Sequence, residues 1–176
     1  MKAASFLLSA TLLLSGLASA ATLEERVQRQ EDLHDIEKLL RDYGRLLDAR
    51  DFAGYGKLFA VEGEWIGGFG RLKGPAEITK VVGERMTPAP GKPPVRGVHV
   101  FSNMDITLEG DRATAVTKWQ FMTPGADGKP VVLIVGHYSD KLVRENGAWK
   151  FRERIAYGDV PFHDPLAPAG ATAPAR

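Results

Sequence analysis

The chain contains no cysteine among its 176 residues. That absence excludes a disulfide framework, thiolate zinc sites and a cysteine nucleophile together. An exported protein without disulfides is compatible with a bacterial periplasm. Neither sign of charge dominates: 23 Lys and Arg stand against 22 Asp and Glu, with no strongly basic run. Nucleic acid and anionic membrane are therefore not the expected partners. None of the four histidines sits in a carboxylate cluster with ligand spacing, so no metal is expected. Gly67-Gly68-Phe69-Gly70 lacks the strand-then-helix context of a dinucleotide or phosphate loop and reads as a bend in a sheet, with no cofactor implied.

Long hydrophobic runs are also lacking, except at the start. Lys2 precedes an apolar stretch from Phe6 to Leu17, and Ala18-Ser19-Ala20 supplies the small residues of a cleavage site. The run is shorter than the ~20 residues that span about 30 Å of hydrocarbon. The expectation is a signal peptide over residues 1–20, an exported mature chain, and no membrane association after cleavage. Mass spectrometry of exported material is expected to find Ala21, or a residue next to it, at the N-terminus. An intact Met1 would overturn this.

What remains has the size of one domain with its own core. Leu33, Ile36, Leu39, Leu40, Tyr43, Leu46 and Leu47 recur at three- and four-residue steps, the pattern of an amphipathic helix entered through the charged segment Leu23 to Asp32. Asp48 to Asp51 break it. Asp51 suits the N-cap of a short helix carrying Phe52, Tyr55, Leu58 and Phe59. A bent strand or hairpin follows around Glu64-Trp65-Ile66, and Pro75 suits the first turn of a third helix. Beyond the Pro88–Pro94 loop the period changes to two. Val98–Leu108, Ala113–Thr123, Val131–Val143 and Trp149–Tyr157 read as strands joined by Gly-, Asp- and Asn-rich turns. Helices first and an antiparallel meander afterwards predict an α+β fold, helices packed in a strongly curved sheet that forms a cone-shaped barrel. The domain is expected over 21–162, and the Pro/Ala-rich tail over 163–176 is expected to be disordered.

This order of elements, with Tyr43-Gly-Arg-Leu-Leu-Asp48-Ala-Arg-Asp-Phe52, Leu58-Phe59-Ala60, Gly63-Glu-Trp65, Lys73-Gly-Pro75, Val98-His99-Val-Phe-Ser-Asn103 and Gly147-Ala-Trp149-Lys-Phe151, resembles the SnoaL-like branch of the nuclear transport factor 2 superfamily. The resemblance covers about Leu23 to Phe162. Among its members, hexachlorocyclohexane dehydrochlorinase, bile acid 7α-dehydratase and scytalone dehydratase are the nearest in function. The first two use an Asp–His pair, which falls on Asp48 and His99. The resemblance further places Tyr43, Trp65 and Arg154 at active-site positions and Tyr138 at an aromatic pocket position. It departs at Gly67, where ketosteroid isomerase carries its base. It departs again near Thr123, where scytalone dehydratase has a second histidine and the bile acid enzyme an aspartate. One fold hosts many chemistries, so the resemblance alone names no substrate.

The residues themselves point the same way. A charge at the end of an apolar helix face is costly unless paired, and Asp48 stands there. Strict alternation puts Val98, Val100, Met104 and Ile106 on one strand face, with His99, Phe101 and Asn103 on the other. A helix crossing that second face lets the carboxylate hold one imidazole nitrogen while the other takes a proton. Arg154 or Tyr43 is then available to steady a developing anion. Trp65, Phe101, Trp119, Phe121, Thr123, Ile134 and Tyr138 are the expected substrate-binding residues. Plainer roles stay open: Asp48 as a helix cap, His99 as a structural histidine, Tyr43 and the aromatics as core, and Arg154 as a surface ion pair. His34 is expected to face solvent, His137 to point away from the pocket, and His163 to belong to the tail. The leading expectation is a cofactor-independent lyase that removes water, halide or formaldehyde from a small, largely apolar cyclic or aromatic substrate. A proton-transfer isomerase and a non-catalytic ligand-binding domain are the alternatives. Apolar residues on both faces of Val131–Val143 add the expectation of a homo-oligomer, a dimer or trimer.

Overall fold

Helix α1 spans Leu23–Asp48 in the computed structural model, which describes residues 21–94 and 96–168. The expected leader and the last eight residues of the tail lie outside the described residues. Thr22 opens α1 with a reciprocal capping box: its hydroxyl accepts from the Glu25 N–H at 3.2 Å, and the Glu25 carboxylate accepts from the Thr22 N–H at 2.7 Å. The apolar stripe then buries Ile36, Leu39, Leu40, Tyr43, Leu46 and Leu47. Arg50, at φ 60°, turns the chain out of the helix. Asp51 caps α2 (Phe52–Gly56), accepting from the Gly54 N–H at 2.8 Å.

Leu58 and Phe59, expected on that short helix, lie outside it. Phe59 opens strand β1 (Phe59–Gly67), and the Leu58 carbonyl accepts from the Phe151 N–H at 2.9 Å. Pairing with a distant strand overrides the local helical spacing. β1 turns into β2 (Gly70–Lys73), and Pro75 sits in the first turn of α3 (Gly74–Met86). The meander follows as β3 (Val98–Glu109), β4 (Arg112–Pro124), β5 (Pro130–Glu145) and β6 (Ala148–Val160), closed by a two-residue β7 (Phe162–His163). The expected domain end at Phe162 thus falls inside a strand.

These strands form one sheet in the order β2-β1-β6-β5-β4-β3, with β7 on β6. The sheet is curled but unclosed and wraps the helices. All pairings are antiparallel except β1 with β6, which are far apart in sequence and run parallel. Trp119, Tyr138, Leu142, Trp149 and Phe151 project inward onto Ile36, Leu40, Tyr43 and Ile78.

Two local irregularities place the site. A bulge in β3 between Ser102 and Asp105, with Asn103 at φ 49°, resets the strand's phase. Met104, Ile106 and Leu108 therefore pack on the core and share the inner face with His99 and Phe101. Strict alternation had put Met104 and Ile106 on the opposite face, because a single inserted residue is invisible to a period-two count. Second, α1 crosses β3 at Gly44. A Cβ there would collide with the Phe101 ring and stand 3.2 Å from the His99 Cβ. The bare glycine lets the helix lie directly on the strand, one turn before Asp48.

Candidate active site

The end of α1 and the start of β3 meet at Asp48 and His99. The His99 Nδ1 lies 2.6 Å from Asp48 Oδ1, and Asp48 Oδ2 accepts from the His99 backbone N–H at 2.9 Å. Both carboxylate oxygens are therefore spent on one residue. An ionised carboxylate can only accept, so the shared proton sits on Nδ1, and in the neutral imidazole Nε2 keeps its lone pair. The His99 side chain is 11% exposed and Asp48 23%. Asp48 opens on a surface hollow beside Arg50 and Arg96, while His99 faces the interior.

That interior is a cavity of about 350 Å³. Of the expected residues, Tyr43, Trp65, His99, Trp119, Phe121, Ile134 and Tyr138 line it. The His99 ring lies 4.8 Å from that of Phe121, and Trp119 stacks on Tyr138 at 5.3 Å. The walls are otherwise Leu47, Val82, Met86 and Ala156, so a charged ligand would lose its hydration with little in exchange.

Polar groups cluster at one wall. The Tyr43 hydroxyl accepts from the Trp65 Nε1 at 2.9 Å, and its ring lies 4.9 Å from that of Tyr55 and 5.2 Å from that of Tyr138. Burial pushes the Tyr55 and Tyr138 hydroxyls well above the ordinary tyrosine range, so both remain protonated donors. The Trp65 hydrogen bond occupies an acceptor site on the Tyr43 hydroxyl, which also meets the hydroxyls of Tyr55 and Tyr138.

Three expected site residues stand elsewhere. Phe101 lies beneath Gly44, its ring stacked on His99 at 6.3 Å, and supports the imidazole from behind. Thr123, beyond a second bulge at Phe121/Met122, pairs with Val131 at the sheet's end and does not reach the cavity. Arg154 is fully buried outside the cavity. Its Nε and Nη2 donate to the two carboxylate oxygens of Asp140 at 2.7 and 2.6 Å. Its guanidinium lies 4.0 Å from the Tyr43 ring centroid and 4.2 Å from that of Tyr138. It is not a surface ion pair, and it does not line the cavity. It fixes the tyrosine wall from behind, because a planar cation matches both a carboxylate and the faces of aromatic rings. Burial pulls the guanidinium down, and the Asp140 charge beside it more than reverses this. Burial pushes the Asp140 carboxyl up against the pull of Arg154.

The structure also brings in residues that the sequence pattern did not mark. Tyr55 comes from α2 and Phe69 from the β1–β2 turn, where its ring stacks on Trp65 at 5.5 Å. His163 comes from β7. Its only sequence signal was the aromatic residue beside it, just ahead of the Pro/Ala-rich run. His34 is exposed, and His137 lies on the outer face with Nδ1 2.8 Å from Asp159 Oδ1, both as expected.

No curated protein matches the chain. Solved structures do. An NTF2-like protein with a cystatin-like fold from Novosphingobium aromaticivorans is 25% identical, with 80% of this chain and 90% of that one covered, at a TM-score of 0.66. ActVI-ORFA from Streptomyces coelicolor is 26% identical over 73% of this chain and 97% of its own, at 0.63. A type 2 hexachlorocyclohexane dehydrochlorinase (LinA) is 20% identical over 85% and 97%, at 0.65, a likeness of fold. The family model of the SnoaL-like domain matches residues 28–155, from the first turns of α1 to the middle of β6. The chain belongs to the SnoaL-like domain family and has its NTF2-like fold.

Proposed function

We propose that the chain is a cofactor-independent lyase that eliminates a small group, water, halide or formaldehyde, from a small, largely apolar cyclic or aromatic compound. The observation that carries this is the two-point clamp of Asp48 on His99 at the wall of an apolar cavity. Asp48 holds Nδ1 and balances the charge that develops when Nε2 takes a proton from carbon. Tyr43 donates toward the developing or departing anion, and Trp65 sets the direction of that hydroxyl. The likeness in fold to a dehydrochlorinase supports the reaction class. Incubating the protein with mixtures of halogenated, hydroxylated and hydroxymethylated ring compounds tests the reading. The expected result is consumption of one species with loss of HX, H2O or CH2O, and no isomer of the starting mass. Isomerisation without loss would reassign the pocket to proton transfer between carbons.

The proposal extends to export and assembly. Val98, Val100, Val116, Val131, Val132, Leu133 and Val160 are exposed on the sheet. Apolar side chains left in water in this number favour burial, and a second copy of the chain is the occupant proposed here. Light scattering at micromolar concentration is expected to give a dimer or trimer mass, and a monomer would count against it. Val116→Glu with Val132→Glu is expected to shift that mass to the monomer.

A further inference from the structure

A second imidazole belongs to the cavity. His163 sits on β7, paired with Gly158 of β6, and lines the same cavity as His99. In strand order β7 hangs on β6 while His99 is on β3, at the other edge of the sheet, and the curl closes both onto one space. The neighbouring residues leave room for it. A Cβ at Gly158 would lie 2.8 Å from the Pro161 carbonyl oxygen and 3.2 Å from the His163 Cβ, so glycine is what lets β7 fold back. The preceding inward residue of β6 on the cavity wall is Ala156, equally small. Unlike His99, His163 has no hydrogen-bond partner for its ring among the described residues, and its ring is exposed at the edge of the cavity. Among the lining side chains only the two histidines and three tyrosines carry a titratable proton. Imidazole alone of these both gives and takes a proton near neutral pH.

We propose that His163 is the general acid of this site and that the substrate class is a ring alcohol, which leaves as water. This rests on the lyase reading above and narrows it. Halide departs as a stable anion and needs only a base, whereas hydroxide leaves poorly unless a proton reaches it. In the step, His99 Nε2 takes a proton from carbon, and the C–H electron pair becomes the new C=C bond. The adjacent C–O bond breaks with its pair on oxygen, and the His163 imidazolium gives that oxygen its proton. Water leaves; His99 then releases its proton to solvent and His163 regains one. No oxidant or reductant is required.

Two small probes test the proposal without a known substrate: nitrobenzene, which matches the cavity's apolar character, and 4-nitrophenol, which adds the oxygen. At about pH 6 free 4-nitrophenol is mostly colourless, and near this pH an imidazole takes up a proton. In His99→Ala, which lacks the other lining imidazole, bound 4-nitrophenol is expected to show the yellow phenolate band, its oxygen held by the His163 imidazolium. The band is expected to vanish in the double variant His99→Ala with His163→Gln, which offers a hydrogen bond but carries no imidazolium. Affinity of His163→Gln for nitrobenzene is expected to stay within about twofold of wild type, an apolar contact being indifferent to that exchange. A colourless His99→Ala complex, or a yellow double-variant complex, overturns the role of His163 while nitrobenzene binding leaves the pocket standing. Failure of the wild-type protein to bind either probe fells the pocket reading, and this inference with it.

Discussion

His99→Ala is expected to abolish turnover of whichever compound the wild-type protein consumes, while the far-ultraviolet circular dichroism and melting temperature change little. Steady-state kinetics and a thermal scan on the same preparation check both halves. Removing the imidazole removes the only lining group whose second nitrogen is held by a carboxylate. General base catalysis of this kind is worth about 10²–10⁴ in rate. The fold survives because the His99 backbone N–H still donates to Asp48 and the imidazole borders a cavity rather than packed core. Asp48→Asn separates the roles. The amide oxygen can keep the backbone hydrogen bond, so ligand binding is expected to stay near wild type. The amide cannot balance an imidazolium, and kcat is expected to fall by about 10²–10⁴. Equal loss in KM and kcat would instead point to a collapsed wall. Full activity in His99→Ala would refute the mechanism.

Whether the pair forms at all depended on features of unequal legibility. The helix end at Asp48 was readable, since the apolar stripe stops there and Asp51 is a ready N-cap. So was the inward phase of His99 and Phe101, because both precede the bulge. The phase of Met104 and Ile106 was not, because Asn103 in the left-handed region adds a residue to the strand without breaking its composition. The role of Gly44 emerges only when Phe101 lies beneath it, a contact between α1 and β3 that local sequence does not announce. Arg154 shows the limit from the other side. The resemblance placed it at an active-site position and composition suggested a surface ion pair. Its burial follows from facing Asp140 across the β5–β6 ladder, a register that local sequence does not announce. His163 was hidden by its neighbours, since Pro and Ala on its C-terminal side mimic the composition of a tail.

Breaking the Arg154–Asp140 pair on one side should be the most damaging single change to the fold. Both side chains are 0% exposed, and the fork-to-fork geometry satisfies both carboxylate oxygens. Arg154→Met keeps the volume and the aromatic contacts but leaves the Asp140 carboxyl without its cation. Asp140→Ala leaves a guanidinium buried among Tyr43, Tyr138 and Phe151. Removing one partner of a buried pair costs about 3–5 kcal/mol, because the survivor loses its counter-charge while staying out of water. At roughly 2–4 °C per kcal/mol for a chain of this size, either variant is expected to melt about 6–20 °C below wild type. The double variant Arg154→Met with Asp140→Leu carries no orphaned charge and is expected to recover much of that loss, as a thermal scan of all four proteins would reveal. Recovery of stability need not restore the site. The guanidinium that fixes the Tyr43 and Tyr138 rings is gone, so the double variant is expected to fold yet bind cavity ligands less tightly. A single Arg154→Met variant with wild-type melting would show that the charge on Asp140 is relieved in another way, and would remove the case for Arg154 as the support of the tyrosine wall.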